Sequence, residues 1–439
     1  MLKVGVARAD ITSHAGIEMA GFGKRIQPSL GVNDPLYATV LVADDGRTIV
    51  AVVDCDLVFV SADFTAALRE KAGRLAGVPP ANIMITCTHT HYGPRIASAA
   101  TNGVQSYEQA YREWLVYQLA GLIYEAKANL KPAQMRWGLG QSDIGINRRE
   151  KTADGKIILG ENPSGAIDRS VGVCRIDTPE GTPLVTVVNF ATHPVGQDVQ
   201  VRKISADYVG ALRRSMEQTT GAPCMFWQGA CGNINILKAE TDYANVHSRG
   251  TRLAQEAAKV WESALPLPGE DINIISRDVE FPSFRCLSRE QAEQKRLEAQ
   301  QDLEAGRRNP KTTPGLLTWL ENDVKRLVNL RDSWTNPALV PPPVKAHLQA
   351  CRIGGLAWVC VPGELFNELG SEIKRRSPHQ PTFVVTYVND WIGYLPTREA
   401  FDEGGYEVSQ VCYLAPEGIR MLVDELVAML GAVSKQTIV

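Results

Sequence analysis

Asn82-Ile83-Met84-Ile85-Thr86-Cys87-Thr88-His89-Thr90-His91-Tyr92-Gly93-Pro94 is the stretch on which both the fold and the chemistry turn. Its first half is short, apolar and β-branched, which predicts a buried strand rather than a helix. Residues two apart on an extended chain share a face. If the strand continues, Ile83, Ile85, Cys87, His89 and His91 line one side, and both imidazoles address one point in space. Alone, such a pair is either a metal site or a set of satisfied polar groups at a strand end.

Outward from this stretch, similar runs recur at Thr48 to Val53, Leu184 to Phe190, Pro223 to Trp227, Leu356 to Val361 and Thr382 to Val388. Helix-patterned segments lie between many of them, at Ala62 to Leu75, Glu108 to Ala126, Tyr208 to Gln218 and Val246 to Ala264. The alternation predicts an α/β fold, with central mixed sheet(s) flanked by helices. Residues 288–333 differ, being charged, helix-prone and broken once around Pro310 and Pro314. They read as a helical hairpin insertion, with Leu297, Leu303, Leu316, Leu317, Leu320, Val324 and Leu327 as its apolar stripe. A solvated excursion is the plain reading; a lid or partner surface is the alternative. The expectation is one domain over 1–439 carrying this insertion.

Composition narrows the function. Among 439 residues, 44% are hydrophobic and the formal charge is −3, so no global field recruits nucleic acid or an anionic membrane. No run approaches the length needed to span a bilayer. The start, Met1-Leu2-Lys3-Val4, lacks a secretory pattern. The nine cysteines are odd in number and include no Cys-x-x-Cys. Reduced, structural thiols and a cytoplasmic location are the expectations. Oligomeric state leaves no trace in the sequence.

A second and third look at strand ends sharpens the chemistry. His193 follows the run ending at Phe190, and Pro194 then breaks regular pairing. Val361-Pro362-Gly363-Glu364 ends another run, and Asn389-Asp390-Trp391-Ile392-Gly393-Tyr394 follows a fourth. In open α/β sheets, ligand crevices form beyond the carboxyl ends of strands. Four strands each delivering a polar group there suit a zinc ion held by imidazole and carboxylate, with access left for water. Glu364 has a competing reading, as a carboxylate in the first turn of a helix. Asp54 and Asp56 read as local caps or partners behind the ligands, and Asp207 as an N-cap or an orienter of His193. The loop Gln228 to Asn233 is either an oxyanion-binding turn or a plain strand-to-helix connection. His14, His247, His347 and His379 have no evident partners, and no Gly-x-Ser-x-Gly places a serine nucleophile.

As a set, these elements resemble the neutral/alkaline non-lysosomal ceramidases. The resemblance rests on Thr88-His89-Thr90-His91 with Gly93-Pro94, the strand ending in His193, Val361 to Glu364, and Gly393-Tyr394 followed by Thr397 and Glu399. Gly5 to Thr12, Asn147-Arg148, Asn162-Pro163, Ser205 to Tyr208 and Gln228 to Asn233 add to it, so that it spans roughly residues 4 to 430. It implies zinc ligands at His89, His193, Glu364 and Tyr394. It also implies His91 as an acid/base or substrate-polarising group, supported by Arg148 and Tyr406. The Tyr394 assignment comes from the resemblance alone.

The implied activity is zinc-dependent hydrolysis of an amide (N-acyl) bond of a small-molecule substrate, in lipid metabolism. Departures bear on the substrate. Tyr92-Gly93-Pro94-Arg95 stands where the family has Ser-Gly-Pro-Gly, and no immunoglobulin-like domain is expected at the C-terminus. Arg95, Arg148, Arg149 and Lys203 hint at something smaller or more polar than ceramide. The alternatives are a zinc hydrolase of an ester, lactone or glycoside, and a catalytically silent zinc- or ligand-binding protein.

Overall fold

Apolar runs without alternation need cover on both faces, and here three mixed sheets around a shared core provide it. The computed structural model describes residues 1–434 apart from 24, 26, 97–105, 238–242, 285–286 and 313. The six expected strands lie at Ile49–Cys55, Ile83–Cys87, Pro183–Phe190, Cys224–Gln228, Leu356–Val361 and Thr382–Thr386. The expected helices lie at Ala62–Ala76, Ser106–Ala128, Asp207–Thr220 and Tyr243–Glu262.

The first sheet runs Ile83–Cys87, Ile49–Cys55, Tyr37–Asp44, Lys3–Asp10, Lys131–Pro132. The second runs Cys224–Gln228, Pro183–Phe190, Ser170–Asp177, Gln134–Gln141, Leu265–Pro266, and the third Ile272–Phe281, Val344–Ile353, Leu356–Val361, Thr382–Thr386. Each is antiparallel except for one parallel pair at its edge. Those pairs are Ile49–Cys55 with Ile83–Cys87, Pro183–Phe190 with Cys224–Gln228, and Leu356–Val361 with Thr382–Thr386.

Side-chain alternation distributes the burial. In Tyr37–Asp44, Ala38, Val40 and Val42 pack under the first two helices, with Phe64, Leu68, Leu115 and Leu119. Leu41 and Ala43 turn the other way, into a core that also holds Met84, Val187, Trp227, Trp358 and Phe383 from all three sheets. The second sheet is covered by Asp207–Thr220 and Tyr243–Glu262, the third by Pro416–Val433. At about 25 cal/mol per Å² of apolar surface, this two-sided burial dominates the stability.

The insertion forms two helices, Arg289–Arg308 and Pro314–Asp332. Its apolar residues make two small clusters of their own, Leu287, Ala292, Ala299, Leu327 and Leu330 in one and Leu303, Leu316 and Leu320 in the other. Leu297, expected in the stripe, is instead 44% exposed. No helix among the described residues is long and apolar enough to cross a membrane. The eight described cysteines are all buried and free.

Candidate metal centre

The carboxyl ends of the three parallel pairs meet, and the groups that follow them converge. The strand does not continue through the histidines. Ile83–Cys87 ends the ladder and His89 takes φ 67, a left-handed turn. That turn, rather than strand alternation, brings the imidazoles together: His89 Nε2 and His91 Nε2 are 3.2 Å apart. The alternating threonines are buried, Thr88 donating to Asp56 Oδ1 and Thr90 to the Ser205 carbonyl.

His193 Nε2 lies 3.1 Å from Glu364 Oε2, and His89 Nε2 3.6 Å from the same oxygen. Donor atoms at about 2.0–2.2 Å around one tetrahedral zinc would stand about 3.3 Å apart. One ring nitrogen from each of His89, His91 and His193 lies within 4.8 Å of the others, and all three residues are buried.

Hydrogen bonds behind the rings settle which nitrogens face the centre. His89 Nδ1 meets the Val58 carbonyl at 2.6 Å, and His193 Nδ1 the Cys231 carbonyl at 2.7 Å. A carbonyl only accepts, so both Nδ1 atoms carry the proton and both Nε2 atoms present lone pairs. Two ring nitrogens and a carboxylate thus converge, a donor set compatible with a divalent cation. His91 is different: its Nδ1 is buried with no partner.

Electrostatics agree with the geometry. Burial works to raise the Glu364 carboxyl, but His89 and His193 outweigh it and hold it well below its ordinary value. Burial, helped by Arg148, lowers His193 to about 4. Burial and then the other two imidazoles lower His91 well below 6.5. His193 and His91 are therefore held toward the neutral imidazole and Glu364 toward the ionised carboxylate.

Tyr394 sits beside Glu364, its Cα partner between the short strands Glu364–Leu365 and Tyr394–Leu395. Glu364 is accordingly in a strand, not a helix cap; the next helix begins at Asn367. The Tyr394 hydroxyl accepts from Arg148 Nη2 at 2.9 Å, and burial, against the pull of Arg148, pushes the phenol well above 10. Tyr406 is 36% exposed, its ring edge-on to Tyr394 at 5.8 Å. Glu407 is shared, Oε1 accepting from Arg148 Nε and Oε2 from Arg149 Nη1.

Several expectations change. Arg148 and Arg149 are compensated by Glu407 and Glu403, and Arg95 by Glu18, so these cations are not free for an anionic substrate. Several donors of the Gln228 loop are engaged within the protein. Gln228 Nε2 donates to the carbonyls of Thr88 and Thr192, the residues preceding His89 and His193. The amides of Gly229 and Gly232 are spent on Phe190 and Leu365. Gln228 is a clamp between the two histidine loops. Asp207 does not touch His193; it accepts from the amides of Gly196 and Tyr208. Asp56 binds Arg213 through both oxygens at 2.5–2.6 Å, and Asp54 accepts from the Phe226 amide, so neither is a cap.

Residue-level reading missed Trp391, whose Nε1 donates to Glu364 Oε1 at 3.0 Å, and Tyr387, stacked on His89. It also missed Arg25, which donates to the His91 carbonyl, and Phe22, edge-on to the His91 ring. Trp391 and Tyr387 lie inside stretches already singled out, whereas nothing local marks Arg25 or Phe22.

Comparison with known proteins places this geometry. Residues 2–226 match the family described as neutral/alkaline non-lysosomal ceramidase, N-terminal. A neutral ceramidase of Mycobacterium tuberculosis is 27% identical over 243 residues, covering 50% of this chain and 36% of that protein. One from Pseudomonas aeruginosa is 28% identical over 147 residues, covering 32% of this chain and 22% of that protein. The matched stretches thus span roughly a third or less of these relatives. The crystal structure of the Pseudomonas aeruginosa neutral ceramidase superposes with a TM-score of 0.77 at 20% identity, over 98% of this chain and 74% of that one. A ceramidase solved in complex with C2 superposes equally well, with a TM-score of 0.77 at 19% identity, over 99% and 75%.

Proposed function

The chain belongs to the neutral/alkaline non-lysosomal ceramidase family, and from that premise we propose that it is a zinc-dependent hydrolase of a neutral N-acyl amide of the ceramide type. The observation that carries the metal is the pair of Nε2 lone pairs facing the Glu364 carboxylate within 3.1–3.6 Å, with both Nδ1 protons held by carbonyls. His89, His193 and Glu364 would hold the ion, with Tyr394 as a fourth ligand carried over from the family. When bound, zinc supplies Lewis acidity, lowering the pKa of water toward 7 and polarising a carbonyl oxygen.

The chain's own residues divide the remaining work. His91 is neutral at rest, so it first takes a proton from the attacking water and then returns it to the departing amine. Its unanchored Nδ1 supports this reading, since ligating histidines normally have the second nitrogen held. Arg148 fixes the Tyr394 hydroxyl, and the partly exposed Tyr406 offers its own. Because Arg95, Arg148 and Arg149 are each paired with a carboxylate, none of them is offered to an anionic substrate, and the proposal is for an uncharged amide.

A second reading makes His91 the third ligand, favoured by the mutual proximity of the three imidazoles. Zinc analysis separates the two: His91→Ala retains about one equivalent if His91 is an acid/base and Tyr394→Phe weakens binding, with the reverse outcome under the second reading. The function itself is tested by a panel of N-acyl amides, esters and glycosides with chelator controls. Chelator-sensitive release of amine supports the proposal; release of alcohol or sugar alone refutes it. With the amide, His91→Ala should lower kcat by about 10²–10⁴-fold.

A further inference from the structure

We propose that Tyr387 is a positioning residue for the metal centre, holding His89 and Glu364 in ligating pose from a strained backbone conformation. This rests on the zinc reading above. Tyr387 follows the strand Thr382–Thr386 and has φ 56. Glycine and, less readily, asparagine adopt that region; a bulky aromatic there is an outlier that the surrounding structure must enforce. The enforcement is visible on either side. The amide of Val388 is bound to the Val361 carbonyl, and that of Asn389 to the Ile85 carbonyl, tying the turn to strands of two different sheets.

The left-handed turn serves the side chain. The Tyr387 ring is fully buried and lies flat on the His89 imidazole, centroids 3.7 Å apart and planes 13° from parallel. Its hydroxyl is 3.4 Å from Glu364 Oε2, to which it donates, and 3.2 Å from Cys231 Sγ. Cys231 is the residue whose carbonyl holds His193 Nδ1. One side chain therefore touches two of the groups facing the centre and the residue that orients the third. The stack sets the plane of His89, which its Nδ1 hydrogen bond to Val58 leaves free to rock. The hydroxyl settles which Glu364 oxygen faces the histidines, while Trp391 takes the other.

The experiment compares Tyr387→Leu and Tyr387→Phe with the wild type in the full chain. Leucine keeps apolar volume and removes the flat face; phenylalanine keeps the stack and removes only the hydroxyl. Zinc affinity is measured by competition with a chromophoric chelator, ligand geometry by the d–d absorption of the cobalt(II)-loaded protein, and folding by thermal melting of the metal-free protein. The expected result is about 10–100-fold weaker zinc binding for Tyr387→Leu with an altered cobalt spectrum, and a smaller loss for Tyr387→Phe, which also covers the case in which the leucine variant does not fold. Wild-type zinc affinity and cobalt spectra in both variants would overturn the proposal. So would a loss of affinity that merely follows a lowered melting midpoint with the spectrum unchanged. None of these readouts needs a substrate, so a wild type that binds zinc but cleaves no amide leaves this result standing while the activity proposal fails. A wild type that binds no zinc rejects the metal reading, and this proposal with it.

Discussion

The candidate metal centre and the helical hairpin are built from the same kinds of charged residue used in opposite ways. In the hairpin, charges pair with near neighbours on exposed turns: Arg296 with Glu293, Lys295 with Glu298, Arg326 with Asp323, each three residues apart. Around the centre, Arg148 meets Glu407, Glu364 meets His193 and Arg213 meets Asp56, all across the fold and all buried. Exposed pairs contribute at most about 1 kcal/mol, because water screens them and their side chains must be ordered. Buried pairs stand on a desolvation cost of several kcal/mol per ion, so breaking one leaves a charge with nowhere to go. The hairpin can lose a charge; the centre cannot.

Removing one member from each region probes that contrast, and the largest effect belongs at the centre. His193→Ala should reduce bound zinc from about one equivalent per chain to background by elemental analysis, and abolish chelator-sensitive hydrolysis, while circular dichroism stays unchanged. Full zinc occupancy would remove His193 from the ligand set. Next comes the brace behind the loops. Asp56→Ala strands the Arg213 guanidinium and leaves the Thr88 hydroxyl unpaired, and should cost about 3–5 kcal/mol in denaturant titration. A loss below about 1 kcal/mol would mean that water reaches this pair and that the comparison fails.

A subtler effect is a pH slope. Burial pushes Asp54 up to about 7. Between about 4, where the unfolded carboxyl ionises, and about 7 the folded state binds the extra proton, so stability should fall as pH rises through that window. The isosteric Asp54→Asn should flatten the fall by at most about 1.4 kcal/mol per pH unit. Asp207, also raised to about 7 by burial, remains as a contributor of the same sign. Unchanged slopes in midpoint-against-pH curves would place the proton elsewhere. The smallest effect belongs to the hairpin: Glu293→Ala, which removes the partner of Arg296 and Arg331, should leave the melting midpoint within experimental scatter. A clear drop would show that the hairpin's surface pairs act as a network.

How legible each region was follows from the same distinction. The hairpin's start at Ser288 is a capping box with Gln291, written in four consecutive residues. At the centre, the residue types at strand ends were readable, but their supports were not. Gln228, read as a loop donor toward a ligand or a plain turn, bridges two carbonyls that only folding brings side by side. The two rings of the His-x-His pair do approach each other, but through a left-handed residue at His89 rather than the expected pleat.

The amino-acid order alone determined the buried strands and the polar residues delivered at their carboxyl ends, since β-branching, alternation and turn chemistry act within a few residues. The tertiary structure decided that three separate sheets turn their parallel edges toward one point. It also decided that carbonyls of Val58 and Cys231 accept from the outer nitrogens of two histidines and so hold the proton there. Those choices depend on the direction of backbone groups far apart in the chain, and a carbonyl's direction has no side-chain signature to read.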